Sequence, residues 1–177
     1  MTRFPRLVVA ALGLVYGFSG DTSFAADGKA LPAPVLEMRE ALLAAARSGS
    51  ADDFKSAMDI SPAKPDLGGD ANQDILQILR AGSSGTDGHE ALAALSEVLD
   101  VPPAILPLGR DLENNLVYVW PYLSTKPLDT LTAAEDIDLY RLVTPSKAAE
   151  MREKKRWLWW QIEIAADGRL LSLKKHN

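Results

Sequence analysis

Between Pro32 and Asp100, apolar residues return at three- and four-residue intervals and are interrupted by glycine, proline and serine, which predicts a run of short helices. Val35, Met38, Leu42 and Ala45 share one face of the first helix, and Gly49 ends it. Ser50, with Asp53 three residues on, starts a second helix that turns Phe54, Ala57 and Met58 inward; Ser61-Pro62 and Lys64-Pro65 break it. Gly68-Gly69-Asp70 introduces a third, with Ile75, Ile78 and Leu79 inward and Gly82 at its end. Asp87 and Glu90 have the spacing of a capping box for a fourth, whose inner face is Leu92, Leu95 and Leu99.

Pro102, Pro103 and Pro107 forbid a continuing helix, and beyond them the period changes. Residues 116–123 are rich in β-branched and aromatic side chains and predict a strand, with 105–108 pairing to it across the polar loop 109–115. Pro121 places that end of the strand at an edge or outside the sheet. Thr132 and Glu135 form a second capping box, opening a helix through about Leu142 with Ile137 and Tyr140 inward. Thr144-Pro145 starts another, which ends in the cations Arg152, Lys154, Lys155 and Arg156.

Two apolar runs, 157–164 and 170–173, flank Asp167-Gly168, a dipeptide suited to a two-residue type I′ turn. That turn sets Ile164 opposite Leu171 and Ile162 opposite Leu173, so Trp160, Ile162, Ile164, Leu171 and Leu173 share the inner face and the hairpin is expected at the core of the sheet. The predicted class is α+β. A helical part, about 33–100, is followed by a small antiparallel sheet with two inserted helices and a C-terminal β-hairpin, about 101–177, in one domain.

The amino-terminal segment breaks this pattern. Arg3 and Arg6 precede twelve nearly uninterrupted apolar residues, 7–18, and Ser23-Phe24-Ala25 offers small residues at the two positions a signal peptidase reads. Cleavage after Ala25 is expected, giving a mature chain 26–177; an uncleaved anchor is the alternative, disfavoured by the shortness of the apolar run. The expected location is the periplasm, without a transmembrane anchor after cleavage.

The 177 residues contain no cysteine, which excludes disulfides, thiolate metal sites and cysteine nucleophiles. Neither a phosphate-binding G-x-x-x-x-G-K-[ST] nor a G-x-G-x-x-G occurs, and no cofactor is expected. The formal charge is −5, yet residues 145–177 carry eight Lys or Arg against four Asp or Glu. An acidic whole with a basic end disfavours nucleic acid as a partner.

Tyr118-Val119-Trp120-Pro121-Tyr122, followed by Pro127-Leu128-Asp129, Leu131-Thr132, Leu139-Tyr140-Arg141-Leu142-Val143 and the closing Asp167-Gly168 hairpin, resembles a group of small exported proteins of alphaproteobacterial type to which no activity is assigned. The resemblance covers roughly the C-terminal half. It implies a periplasmic protein and no catalytic residues.

Several clusters are candidates for chemistry. Trp157 and Trp159 either pack under a helix or form an exposed patch, with Lys154, Lys155 and Arg156 beside them; this aromatic and basic surface is the expected binding site for an envelope protein or cell-envelope component. Tyr118, Trp120 and Tyr122, at period two, read as a core face, or as a stacking platform. In the alternative reading, a small α+β enzyme or ligand-binding protein uses a pocket between helices and sheet, with Asp111, Glu113, Tyr140 and Arg141. Only two histidines exist, His89 and His176, and neither has metal-ligand spacing. Gly82-Ser83-Ser84-Gly85 lacks the G-x-S-x-G pattern and reads as a turn. Asp66, Asp70 and Asp74 do not follow the calcium-loop spacing. A non-enzymatic binding module is the leading expectation.

Overall fold

The computed structural model describes residues 28–69, 73–109 and 115–177. The expected export segment and cleavage point, Asp70, Asp111 and Glu113 lie outside them. The class is α+β: four helices, two strands, two helices and a final strand pair, in that order.

The first four helices are α1 (Ala33–Ser48), α2 (Ala51–Met58), α3 (Ile75–Ala81) and α4 (His89–Asp100). Gly49 takes the left-handed conformation that closes α1, and the Ser50 hydroxyl accepts the Asp53 amide to open α2. The capping box expected at α4 does not form. Gly88, in left-handed conformation, is the N-cap; the Glu90 carboxylate instead accepts from the amide and hydroxyl of Ser84, which ties down the preceding turn. In α1, Leu43 and Ala46 are buried and Ala45 only partly so, because the core lies beside two ridges of the helix rather than along one line.

β1 (Ala104–Pro107), β2 (Leu116–Trp120), β3 (Trp160–Ala165) and β4 (Leu170–Lys175) form one antiparallel sheet in chain order. β4 is therefore an outer strand; β2 and β3, rather than the hairpin as a whole, form the sheet's interior. Tyr118 and Trp120 of β2 face the same side as Ile164 and Ile162 of β3, and α1 and α4 pack over β3. All of these side chains are buried, as is Tyr122, which lies past the strand in a 3-10 turn (Tyr122–Thr125). The aromatic row is thus core and offers no stacking platform.

The terminal hairpin departs from the expected turn. The Gly168 amide donates to the Ala165 carbonyl and the Ala165 amide to that of Arg169, enclosing a three-residue loop, and of the loop residues only Gly168 has positive φ. Ile164 consequently pairs with Leu170, not Leu171. A bulge then absorbs one residue, and beyond it Ile162 faces Leu173 and Gln161 faces Lys174 as a two-residue loop would have placed them. Leu170 is buried with Trp160, Ile162, Ile164 and Leu173, while Leu171 is only half-buried. Each fully buried side chain of this size contributes about 1.5–3 kcal/mol to the core.

Both sheet edges are partly blocked. Asp66 bridges to β4 through its amide on the Leu171 carbonyl and its carbonyl on the Leu173 amide. On β1, the Leu108 amide bonds to Asn115 of the neighbouring chain segment, so alternation turns residues 103, 105 and 107 outward. Two of those three are proline, which leaves Ile105 as the single outward donor.

α5 (Ala133–Leu142) and α6 (Pro145–Lys154) connect β2 to β3. The Thr132–Glu135 capping box forms as expected, and Thr144 caps α6 ahead of Pro145. The inward face of α5 is Leu139 and Leu142, which bring it against α4. Ile137 and Tyr140 point outward, at 65% and 48% exposure, contrary to the periodicity reading. The cluster Ile137, Leu139, Tyr140 and Leu142 fits two faces of a short helix, and the more aliphatic pair took the core.

Candidate functional site

At the corner between α5 and α6, Val143 leaves the helical conformation and Thr144 begins the next helix, so the chain turns without a loop. This corner stands opposite the segment that enters β3 and the end of β4. Between them lies an open cleft of about 760 Å³, lined by Tyr140, Arg141, residues 142–147, Glu150, Leu158, Trp159, Lys175 and Asn177.

One wall is aromatic and held in place. The Tyr140 hydroxyl accepts from Arg152 Nη1 at 3.1 Å, and the guanidinium carbon lies 5.6 Å from the ring centre. Arg152 is itself anchored by Asp136 at 2.6 Å and by the Leu128 carbonyl. Trp159 is half-buried against the core, and the Lys175 ammonium lies 5.4 Å from its ring centre and 5.6 Å from that of Trp160.

The charges around the cleft are unevenly compensated. Arg141 faces three carboxylates, Asp138 at 3.6 Å and Glu97 and Asp100 at 3.9 Å. Glu150 is gripped by Lys154 at 2.6 Å and Lys147 at 3.0 Å, which holds its carboxyl below the usual range and leaves this triad with one net positive charge. Lys175 has no carboxylate within ion-pair distance among the described residues; its ammonium donates to the Gly82 carbonyl at 3.4 Å.

The aromatic patch expected from the sequence divides here. Trp157 is 8% exposed, and its indole N–H donates to the Trp160 carbonyl at 3.0 Å, so it belongs to the core and presents no anchor at the surface. It lies in the turn ahead of β3, where strand alternation does not apply. Trp159 does reach the cleft. Lys154, Lys155 and Arg156 are exposed, but none lines it: Lys154 is spent on Glu150, Lys155 closes α6 in the left-handed conformation, and Arg156 donates to the Asn177 main-chain oxygen. Tyr140 and Arg141, from the alternative site, share the cleft with Trp159. Asp111 and Glu113 lie outside the described residues. Lys147 and Lys175 were not singled out from the sequence, where nothing distinguishes them from other surface lysines.

Potential catalytic groups are engaged elsewhere. His89 Nδ1 is 2.9 Å from Asp87, an exposed pair, while the Ser83 hydroxyl donates to the Leu79 carbonyl and that of Ser84 to Glu90, so neither of these two hydroxyls is directed at the imidazole. Carboxylates with a displaced acidity (Asp66, Glu135, Glu150 and Asp167) all move downward, the direction opposite to that of a general acid. Burial, with Asp138 accepting its hydroxyl at 2.9 Å, pushes the Tyr122 phenol up, which keeps it a neutral donor. Among the described residues, no group of three or more His, Asp or Glu is placed to hold a metal ion, and no helix is long and apolar enough to cross a membrane.

No protein-family model, curated protein or solved structure matches the chain.

Proposed function

We propose that this protein is an exported periplasmic binding module, without catalytic activity of its own, that engages an envelope partner through the cleft between α5–α6 and the C-terminal strand. The observation that carries this reading is the pairing in one cleft of two fixed aromatic rings, Tyr140 and Trp159, with the uncompensated cation Lys175. Rigid aromatics contribute contact area at small entropic cost, and a cation that no carboxylate pairs gains most from an external anion. The export signal and the resemblance of the C-terminal half to small exported proteins support the location.

A small-ligand site is the second reading, favoured by the volume of the cleft, which falls in the range of roughly 300–1,000 Å³ typical of such sites. The two separate by site-directed photo-crosslinking in intact cells. A benzophenone side chain at Ser146, on the cleft rim, is expected to yield a discrete protein adduct in the envelope fraction, and one at Glu37, on α1, is not. A mature N-terminus at Ala26 accompanies it. No adduct at Ser146, with a small molecule retained in native mass spectra, would replace the first reading by the second.

A further inference from the structure

Taking the binding-module reading as its basis, we infer that the cleft recognises an acidic peptide segment bearing an apolar anchor, because Lys175, which no carboxylate pairs among the described residues, and Lys147, which shares the single carboxylate of Glu150 with Lys154, line the same cleft as Tyr140 and Trp159.

The sign follows from the accounting of partners. Arg141 is the most obvious cation of the cleft, yet three carboxylates already surround it. Glu150 is the only acidic side chain on the lining, and two lysines bind it; the main-chain end at Asn177, also on the lining, is held by Arg156. What remains is Lys175 and one positive charge of the triad, in a chain whose overall charge is −5. An incoming carboxylate meets a chain of net negative charge, and at this cleft an excess of lysines over acidic side chains, which favours its approach here. Lys175 is half-buried between two indoles, where an ion pair is screened less than at an open surface.

The apolar component follows from the neighbouring surface. Tyr140 lies one turn from Ile137 on α5, so the rim of the cleft continues into the most exposed large aliphatic side chain of that helix. An inorganic anion or a lipid headgroup uses the lysines but leaves Trp159, Tyr140 and Ile137 unoccupied. A peptide with carboxylates spaced beside a leucine or an aromatic side chain uses both.

Titration calorimetry on the mature protein tests this with four probes: a blocked pentapeptide in which two leucines flank Glu-Asp-Glu, its Gln-Asn-Gln counterpart, inorganic phosphate, and vesicles containing phosphatidylglycerol. The acidic peptide is expected to bind and the amide peptide to bind at least tenfold more weakly. Lys175→Gln is expected to weaken the acidic peptide about tenfold, Lys147→Gln about threefold, and Arg141→Gln by less than twofold, since that guanidinium is already compensated. Lys147 and Arg141 are surface positions, so the ranking survives even if Lys175→Gln perturbs the fold. Equal affinity for both peptides, a larger loss at Arg141 than at Lys147, or Lys175-dependent binding of phosphate or vesicles without the peptide overturns the inference. A protein adduct at Ser146 with no acidic-peptide binding overturns this inference and leaves the binding-module reading intact; a small molecule retained in native mass spectra with no adduct overturns both.

Discussion

A β-carbon on Gly168 would lie 2.8 Å from the carbonyl oxygen of Pro34, so the tip of the terminal hairpin is packed against the first turn of α1 with no room for a side chain. Gly168 also has φ +86°, where an L-residue is strained by about 1–2 kcal/mol. The two costs add. Gly168→Ala is expected to destabilise by clearly more than that backbone figure, whereas Gly109→Ala, with φ +75° and open space around it, loses only the backbone part. Urea unfolding of the two variants measures the difference; equal losses would mean that the Pro34 contact gives way freely.

The compensation between the three-residue loop and the bulge makes a second prediction. Leu170, buried beside Ile164, should cost about 2–5 kcal/mol when truncated to alanine, while half-buried Leu171 should cost about 1 kcal/mol or less. A two-residue turn would reverse this order. Ile162→Asp is expected to prevent folding and Gln161→Glu to be tolerated, since only the former residue faces the core.

Two tryptophans separated by one residue should respond differently. Trp157→Ala removes a buried ring and a hydrogen bond and is expected to cost about 3–5 kcal/mol; Trp157→Phe, which removes the indole donor to Trp160, about 1 kcal/mol. Trp159→Ala should leave a folded protein, at a cost of about 1–2 kcal/mol for its half-buried ring, while weakening cleft binding at every salt concentration. Thermal melts and calorimetry on the same samples check both halves.

Acid should act through Glu135. The Lys126 ammonium, the Thr132 amide and the Thr132 hydroxyl pull its carboxyl down to about 2 from an ordinary 4.5. A depressed carboxyl stabilises the fold above its unfolded value, so this contribution is present above about pH 4.5 and disappears as the pH falls toward 2. Glu135→Gln is expected to lower stability at neutral pH and to flatten the pH dependence in that window. His176 works in the neighbouring window: burial lowers its pKa, so the fold favours neutral imidazole and loses stability as the pH drops below 6.5. Denaturant midpoints of wild type, Glu135→Gln and His176→Gln, taken from pH 2 to 8, separate the contributions.

Local signals were readable where one residue determines the outcome. Gly49, Ser50, the Thr132–Glu135 box and Thr144-Pro145 each mark a helix end, because capping depends on a few adjacent atoms. Positions where tertiary contacts choose between two local solutions were not readable. Glu90 turned to Ser84 instead of its own helix start, α5 buried Leu139 and Leu142 rather than Ile137 and Tyr140, and the hairpin took a longer loop that brings Gly168 onto Pro34. The candidate site divides along the same line. Trp159, Tyr140 and Arg141 were visible as residue types, but their meeting with Lys147 and Lys175 depends on how the α5–α6 corner packs against the end of β4, a relation across some thirty residues that periodicity does not encode.

The prolines at 103 and 107 have a consequence for the protein in bulk. A growing fibril adds chains by matching free donors and acceptors along an exposed strand, and the outward side of β1 has one donor at three positions because two of them are proline. Asp66 blocks the opposite side by occupying Leu171 and Leu173. Among the described residues, each edge of the sheet therefore offers a second copy only part of a ladder, and removing either guard should raise the tendency of concentrated solutions to form ordered aggregates.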